Sequence, residues 1–247
     1  MKETMDAGVR LRVVPSTGST NADLLASIAT GDPPIEGEWL VADRQLAGRG
    51  RQGRPWHDGS GNFMGSTAIR LRYGDPAAAS LSLVSGLALL ETVVPHLPTQ
   101  NLMLKWPNDL LVSGAKLAGI LLERVGDWIV IGIGVNLTTA PDLPDRPTAS
   151  LSKYGPAPDR DLFARNLGRN LAAELARWRS YGLGSLIPRW LAAAHPIGTA
   201  LTVHMAGEPP LRGAFDGLND DGALRLALPC GAIRMIAAGE VMLARKG

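Results

Sequence analysis

The apolar positions near the start of the chain predict three strands and one helix. Strands are predicted at residues 11–14, 38–42 and 64–71, where short apolar runs lie between turn-forming residues. Ser19, Thr20 and Asn21 place side-chain oxygens where the N-cap of a helix belongs, and this helix is predicted over residues 22–29. Between residues 43 and 65 the periodicity disappears, and six glycines predict a loop.

The middle of the chain predicts a long buried helix followed by the centre of a sheet. Pro76 is expected to open the helix, which runs to Val94 and carries small residues on much of its surface. Four strands are predicted next, at residues 101–106, 109–112, 117–124 and 128–136. Ser113 and Gly114 separate two of them as a hairpin turn would.

The last part of the chain changes from helical to strand-rich. Helices are predicted over residues 161–179 and 186–194, and His195-Pro196 ends the second helix. Five strand-like runs then lie between Gly, Pro, Asn and Asp, at residues 201–205, 212–218, 224–228, 232–236 and 240–243. Short strands at this spacing are typical of a small barrel, so the sequence predicts an α/β body with an appended β-domain.

Composition and charge exclude several classes of protein. Twenty-five basic and 23 acidic residues give a net charge of +2, too weak for a general nucleic-acid or membrane surface. A single cysteine, Cys230, excludes an internal disulfide and fits a reducing compartment. The first nine residues contain no apolar stretch typical of a secretory signal. No membrane span is expected, because polar and small residues interrupt the best apolar run, at Ser82, Ser85, Gly86 and Glu91.

Arginine and glycine alternate over residues 48–56, ending at Trp56. Glycines let backbone N–H groups turn towards an anion, and guanidinium groups offer paired donors to phosphate or carboxylate oxygens. Three interpretations stay open from composition alone: a loop that wraps a polyphosphate, an RNA-binding segment, and a solvated loop. Only one aromatic residue interleaves with the arginines, fewer than a nucleic-acid surface should have.

Two further segments carry residues suited to chemistry. Lys105-Trp106-Pro107-Asn108-Asp109 places a cation, a ring and two oxygen-bearing side chains at a strand end; such a turn either bonds to its own backbone or helps to hold Mg²⁺. Gly132 and Gly134 alternate along a strand, so both lie on one face and leave room there. The context is not that of a dinucleotide-binding fingerprint, and no P-loop or transition-metal motif is present.

Taken together, four segments in order resemble the biotin protein ligases. They are Ser19-Thr20-Asn21, residues 48–56 with Gln45 upstream, residues 105–109, and residues 116–121 followed by 132–136. The resemblance implies a catalytic domain over residues 1–197 with a mixed sheet flanked by helices, similar to class II aminoacyl-tRNA synthetases. It also implies an SH3-like C-terminal barrel over residues 198–247. The implied reaction uses ATP and Mg²⁺ to form biotinyl-5'-AMP and then acylates a lysine of a biotin carboxyl carrier domain.

The resemblance also implies a role for each matched residue. Biotin would be bound by Ser19, Thr20, Asn21, Gln45, Gly48, Arg49, Arg51, Trp56, Lys116, Gly119, Gly132 and Gly134. ATP would be bound by Arg51, Arg54, Trp56, Asn108, Lys116 and Asn136. Lys116, Arg51 and Arg49 would be catalytic, and Asp109 would hold Mg²⁺. Where many family members have a bulky residue, this chain has Gly65, which is expected to enlarge the pocket.

Two alternatives stay open at this point. A lipoate–protein ligase would share the fold and the adenylate chemistry, although the complete arginine-glycine segment weighs against it. A nucleic-acid-binding module would leave residues 105–109 unexplained. We also expect a cytoplasmic protein without specific DNA binding, because too few residues precede the first predicted strand for a DNA-binding helix-turn-helix. The sequence leaves the choice between monomer and homodimer open.

Overall fold

The computed structural model describes residues 2–6, 8–97 and 99–243. The strands are β1 (Lys2–Asp6), β2 (Val9–Val14), β3 (Trp39–Ala42), β4 (Phe63–Arg70), β5 (Leu102–Lys105), β6 (Asp109–Val112), β7 (Ala115–Val125), β8 (Trp128–Val135), β9 (Ala200–His204), β10 (Leu211–Leu218), β11 (Leu224–Ala227), β12 (Ile233–Ile236) and β13 (Glu240–Leu243). The α-helices are α1 (Thr20–Ala29), α2 (Leu81–Val93), α3 (Arg160–Tyr181) and α4 (Leu186–Ala192).

Eight strands form a mixed sheet in the order β1-β2-β3-β4-β8-β7-β6-β5. The pair β2 and β3 is parallel, and its connection contains α1; the other neighbours are antiparallel. The mixed sheet flanked by helices is therefore confirmed. Strand β1 was not predicted, because its residues do not form an apolar run that distinguishes a strand from a solvated terminus.

The two faces of this sheet are covered differently. Along β8, Ile131 and Ile133 face the main apolar core, into which α2 and α3 pack. The alternate residue Val130 packs with Leu24 of α1 in a smaller cluster on the other face. Further along that face β8 has Gly132 and Gly134 in place of large side chains. The face is therefore only partly covered by α1, and a cleft lies beside the helix.

Helix α2 is almost entirely buried. It begins at Leu81 after a short 3₁₀ turn, later than Pro76, where the sequence predicted its start. By length and composition the segment Ala78–His96 could cross a membrane, contrary to expectation, but 61 % of its apolar window is buried inside the protein. Ser82 and Ser85 are no obstacle to burial, because their hydroxyls donate to the carbonyl oxygens of Pro107 and Leu81.

The last five strands form an antiparallel sheet in the order β12-β11-β10-β9-β13. This arrangement is consistent with the small SH3-like barrel that was expected. Buried side chains of this sheet, including Phe215 and Val203, join the same apolar core as the eight-stranded sheet. The Trp106 indole donates a hydrogen bond of 3.1 Å to the carbonyl oxygen of Gly222, which links the β5–β6 turn to the C-terminal sheet. The domain division at residues 197 and 198 stays a prediction.

Candidate active site

A cavity of about 280 Å³ lies beside α1, between the arginine-glycine loop, the β5–β6 turn and the C-terminal sheet. It brings together the four sequence segments that were singled out. Predicted site residues that line it are Ser19, Thr20, Asn21, Gln45, Arg49, Arg51, Arg54, Trp56, Asn108, Asp109, Lys116, Gly119, Gly132, Gly134 and Asn136. Residues more than 100 positions apart in the chain thus share one cleft, which only the sheet topology could bring about.

One end of the cleft is a largely buried network of polar side chains, all of them neutral except Glu123. Thr20 donates its backbone N–H to Gln45 Oε1 at 2.8 Å, and its hydroxyl lies 2.6 Å from that of Ser66. The Ser66 hydroxyl donates to Asn21 Oδ1 at 2.6 Å, and Asn21 Nδ2 donates to Glu123 Oε2 at 2.8 Å. The N-cap predicted at Ser19 is present, since its hydroxyl accepts from Ala22 N. Thr20 and Asn21 therefore lie in the first turn of α1 and face the sheet.

The alternate glycines of β8 give two side chains room to lie on the sheet. A Cβ atom at Gly134 would lie 2.3 Å from Cε2 of the Trp56 indole, and one at Gly132 would lie 2.3 Å from Asn21 Oδ1. Gly119 is the cross-strand partner of Gly134, and a Cβ there would lie 3.4 Å from the Trp56 ring. We call Gly119, Gly132 and Gly134 the glycine floor. It was predicted to leave space for a ligand, and in the structure the chain's own Trp56 and Asn21 lie on it.

At the other end, two lysines share one buried carboxylate. Lys116 Nζ lies 2.7 Å from Asp109 Oδ1, and Lys105 Nζ lies 3.2 Å from Asp109 Oδ2. Burial alone would raise the pKa of Asp109, but the two ammonium groups lower it below its usual value. Asp109 is therefore a carboxylate that holds both lysines in place.

A bulge brings Lys116 into the cleft. Strand alternation puts Lys116 and Gly119, three residues apart, on opposite faces. The pairing of β6 with β7 shifts between Leu110 and Leu111, so that Leu117 and Ala118 are both buried in the core. Lys116 Nζ then lies 3.2 Å from the position of a Cβ on Gly119. The irregular pairing thus aims the ammonium group over the glycine floor.

The arginine-glycine loop closes the cleft through three different arginines. Arg51 Nη1 donates to Asn108 Oδ1 at 3.3 Å, which joins the loop to the β5–β6 turn. Burial lowers the pKa of Arg51, an effect that the charge of Asp109 opposes. Arg54 forms a two-pronged ion pair with Glu240 of the C-terminal sheet. Arg49 is exposed at the rim.

Several cleft residues were missed by sequence reasoning. They are Ser66, Asp145, Arg146 and Glu240, and Glu123 behind the lining was missed as well. Arg146 pairs with Asp145 and lies 3.8 Å from Glu240. Nothing in the local sequence marks them, because each lies in a segment whose position depends on the sheet. In the described part of the chain, six basic and three acidic side chains line the cleft. The excess of positive charge suits a polyanionic ligand.

Three predicted site residues have other surroundings than expected. Gly48 does not line the cavity: it lies beneath the loop, where its carbonyl accepts from Trp56 N at 2.9 Å. The Asn136 amide is engaged with the carbonyl oxygen of Ala149 at 3.1 Å. Gly65 lines the cleft, but the absence of its side chain does not enlarge it, because a Cβ there would meet the ring of the core residue Phe63 at 2.6 Å.

Asp109 does not fit the predicted role of metal ligand. Both of its oxygens already face ammonium groups, which a divalent cation would have to displace. Among the described residues no group of three or more His, Cys, Asp or Glu side chains is placed to hold a metal ion. The donor set of the cleft is therefore one for anions.

The comparisons with known proteins agree with this geometry. Residues 13–136 match the model of the biotin/lipoate A/B protein ligase family, and residues 197–243 match that of the biotin protein ligase C-terminal domain. The chain is 39 % identical to the biotin–[acetyl-CoA-carboxylase] ligase of Mycobacterium tuberculosis over 94 % of this chain and 88 % of that protein. It is 38 % identical to the enzyme of the same name from Paracoccus denitrificans, over 91 % and 97 % of the two chains.

A similar fold is found among solved structures. The biotin protein ligase from Aquifex aeolicus in complex with biotin and ATP aligns with a TM-score of 0.82 and 25 % sequence identity. The alignment covers 96 % of this chain and 99 % of that one. The similarity therefore extends over both sheets and the cleft between them.

Proposed function

The chain belongs to the biotin protein ligase family, and we propose that its cleft joins biotin to ATP and then to a protein lysine. ATP-dependent biotin–protein ligation is the function that the family matches and the named relatives support. The assignment of individual residues within that function rests on the geometry of the cleft.

The observation that carries the assignment is the polarity of the cleft from one end to the other. A neutral polar network around Thr20 suits the ring of biotin, whose cyclic urea carries hydrogen-bond donors and an acceptor. The Trp56 indole, which lies on the glycine floor, suits its apolar parts. Lys116 at the far end suits its carboxylate, so biotin lies with the ring at α1 and the carboxylate at Lys116.

The first step brings two anions together. A carboxylate oxygen of biotin attacks the α-phosphorus of ATP, the bond from that phosphorus to the bridging oxygen breaks, and pyrophosphate leaves. Lys116 and Arg51 lower the repulsion between the reactants and stabilise the charge that develops on the phosphate oxygens. Arg49, Arg54 and Asn108 bind the remaining phosphate oxygens at the rim. Mg²⁺ would enter with the phosphates of ATP and is not assigned to Asp109.

The second step transfers the biotinyl group. The amine of the acceptor lysine attacks the carbonyl carbon of biotinyl-5'-AMP, a proton is lost, and AMP leaves. Until then the loop over the cleft excludes water, which would hydrolyse the mixed anhydride. The contacts of Arg51 with Asn108 and of Arg54 with Glu240 support this closing role.

The setting of the reaction follows from the chemistry of the cleft and the surface. We propose a lysine of a biotin carboxyl carrier domain as the acceptor, and the cytoplasm as the compartment, where the exposed Cys230 stays reduced. Every group in the scheme comes from one chain, so a homodimer is not needed for it and stays a prediction for sedimentation analysis.

Pyrophosphate release by the purified chain tests the proposal. We expect release that requires biotin and ATP together, followed by transfer to a carrier domain, detected as a streptavidin-binding product. Lipoate in place of biotin should give no release above background. Binding of single-stranded RNA that falls steeply between low and high salt, without biotin-dependent release, would favour the nucleic-acid alternative.

A further inference from the structure

Glu123 lies outside the cleft lining, yet it is the last member of the polar network at the ring end of the cleft. It is partly buried on β7, and its carboxylate accepts from Asn21 Nδ2 at 2.8 Å. A carboxylate can only accept, whereas an amide can present either its oxygen or its NH₂ group to a neighbour. Glu123 therefore decides which way the Asn21 amide points.

The orientation of Asn21 determines the orientation of the next group. With Nδ2 directed to Glu123, Asn21 Oδ1 faces the Ser66 hydroxyl at 2.6 Å, and only Ser66 can donate in that contact. Ser66 is fully buried, so no water competes for its proton. The single hydroxyl proton of Ser66 is thereby committed to Asn21.

The same argument determines whether the Thr20 hydroxyl donates to Ser66 or accepts from it. The hydroxyl oxygens of Thr20 and Ser66 are 2.6 Å apart, and either could donate in an isolated pair. Because the Ser66 proton is committed to Asn21, Ser66 does not donate to Thr20, and the single Thr20 hydroxyl proton is shared between Ser66 Oγ at 2.6 Å and Gln45 Oε1 at 3.1 Å. Thr20 Oγ1 is left with lone pairs, and Gln45 Oε1 beside it already accepts from Thr20 N. This end of the cleft therefore presents acceptors to a ligand.

We propose that Glu123 is a positioning residue for biotin, which acts through Asn21 and Ser66 to make Thr20 Oγ1 an acceptor for a ureido N–H. The inference rests on the proposed function and extends it to specificity. A cyclic urea brings N–H donors to these acceptors, whereas the dithiolane of lipoate brings none and would leave buried acceptors unpaired. Glu123 thus contributes to the choice of biotin without touching it.

Steady-state pyrophosphate release with Glu123→Gln and Glu123→Leu tests this role. Gln keeps the shape but can donate as well as accept, so the Asn21 amide is no longer held in one orientation. We expect the KM for biotin to rise about 10-fold in both variants, the effect of about one hydrogen bond. The kcat and the KM for ATP should stay within about two-fold of the wild type, since the reacting end is unchanged. Glu208→Gln, which alters an exposed ion pair with Arg234, is the matched control.

Asn21→Leu separates a positioning role from a merely structural one. Without the Asn21 amide, Glu123 is no longer linked to Ser66 by hydrogen bonds. Adding Glu123→Gln should then change the KM for biotin by less than about two-fold. An unchanged KM in Glu123→Gln alone, a full effect that persists in the Asn21→Leu background, or an equal loss of kcat with lowered thermal stability would each overturn the inference. Absence of biotin-dependent release by the wild type would instead overturn the proposed function.

Discussion

Lys116 and Asp109 meet across two neighbouring strands only because the pairing of those strands is irregular. Their ion pair of 2.7 Å joins β7 to the end of the β5–β6 turn, and Lys105 completes it from the other side. The buried Asp109 carboxylate thus holds the Lys116 ammonium group, to which we assign the stabilisation of the reacting phosphate, in the cleft. A carboxylate or phosphate that binds there meets two ammonium groups, those of Lys105 and Lys116, whose charge Asp109 neutralises only in part.

Lys116→Ala is expected to bind biotin but to form the adenylate very slowly. Loss of one charged group that stabilises the transition state lowers the rate on the order of 100-fold or more. Calorimetric titration with biotin and pyrophosphate release would separate binding from chemistry. Lys153→Ala, in an exposed position outside the cleft, should match the wild type. Normal adenylate formation by Lys116→Ala would refute the catalytic role.

Asp109→Asn is expected to destabilise the fold. The change leaves Lys105 and Lys116 without their shared counter-charge in a largely buried place, and breaking such a pair costs about 3 kcal/mol. Urea denaturation at neutral pH would measure the loss. The double variant Asp109→Asn with Lys116→Met should recover part of it, because one of the unpaired charges is then gone. No recovery would argue against the charge-pair explanation.

Gly134→Ala is expected to weaken biotin binding by displacing Trp56. The new Cβ would lie 2.3 Å from the indole, closer than any real contact, so the ring must leave the glycine floor. We expect the Kd for biotin to rise about 10-fold or more, by analogy with the loss of a well-packed apolar contact. Gly155→Ala, where nothing lies within 4 Å of the added Cβ, is the control. Equal affinities for the two variants would contradict the described floor.

Arg51→Gly is expected to release biotinyl-5'-AMP before transfer. The variant loses the contact with Asn108 that joins the loop to the β5–β6 turn, so the cleft opens more readily. The free adenylate should then acylate lysines of a bystander protein, which mass spectrometry would detect. Arg44→Gly alters an exposed ion pair with Asp58 outside the cleft lining and should leave bystander labelling at background. Adenylate that stays bound to Arg51→Gly would count against a closing loop.

His195 is expected to make the fold less stable as the pH falls below neutral. Burial, and to a smaller extent the charge of Lys105, lower the pKa of His195 from 6.5 to about 4. Between these values the unfolded chain binds a proton that the folded chain does not, so stability is complete above pH 6.5 and is lost on the way down to pH 4. The loss reaches about 3 kcal/mol.

Urea denaturation at several pH values between 7 and 4.5 would measure this loss. His195→Gln should show a shallower fall in stability with pH than the wild type, whereas the exposed His57→Gln should follow the wild type. If the free energy of unfolding fell equally with pH in the wild type and in His195→Gln, protonation of His195 would not be the cause of the loss.

The fold could be predicted from the sequence where periodicity and turn chemistry agree. Ser113 and Gly114 have φ values of 48° and 81°, as expected for a two-residue hairpin turn, and the strands on either side form as predicted. Helix α3 likewise follows its apolar spacing. Strand β1 escaped prediction because it gains stability from pairing with β2 and not from an apolar pattern of its own.

The site was predictable only in part, for a geometric reason. Residues that stand next to one another in a motif, such as Asn108 and Asp109, can be found by reading along the chain. Ser66 and Glu123 belong to the same network but lie on different strands, and a polar residue in a strand is most often a solvated one. Whether these two side chains come close depends on the register of β4, β8 and β7, which cannot be derived from the sequence pattern alone. The bulge that turns Lys116 inward is hidden in the same way.

The hydrogen bond from Trp106 to Gly222 uses a main-chain oxygen as its acceptor. The oxygen belongs to the backbone, but the position requires glycine, because Gly222 has a φ of 86° and a Cβ there would lie 2.9 Å from the Leu83 side chain. The link between the C-terminal sheet and the β5–β6 turn therefore depends on a glycine at position 222 and not on a side chain of that sheet. A substitution far from the cleft, at one turn of the small sheet, would in this way disturb the segment that carries Lys105 and Asp109.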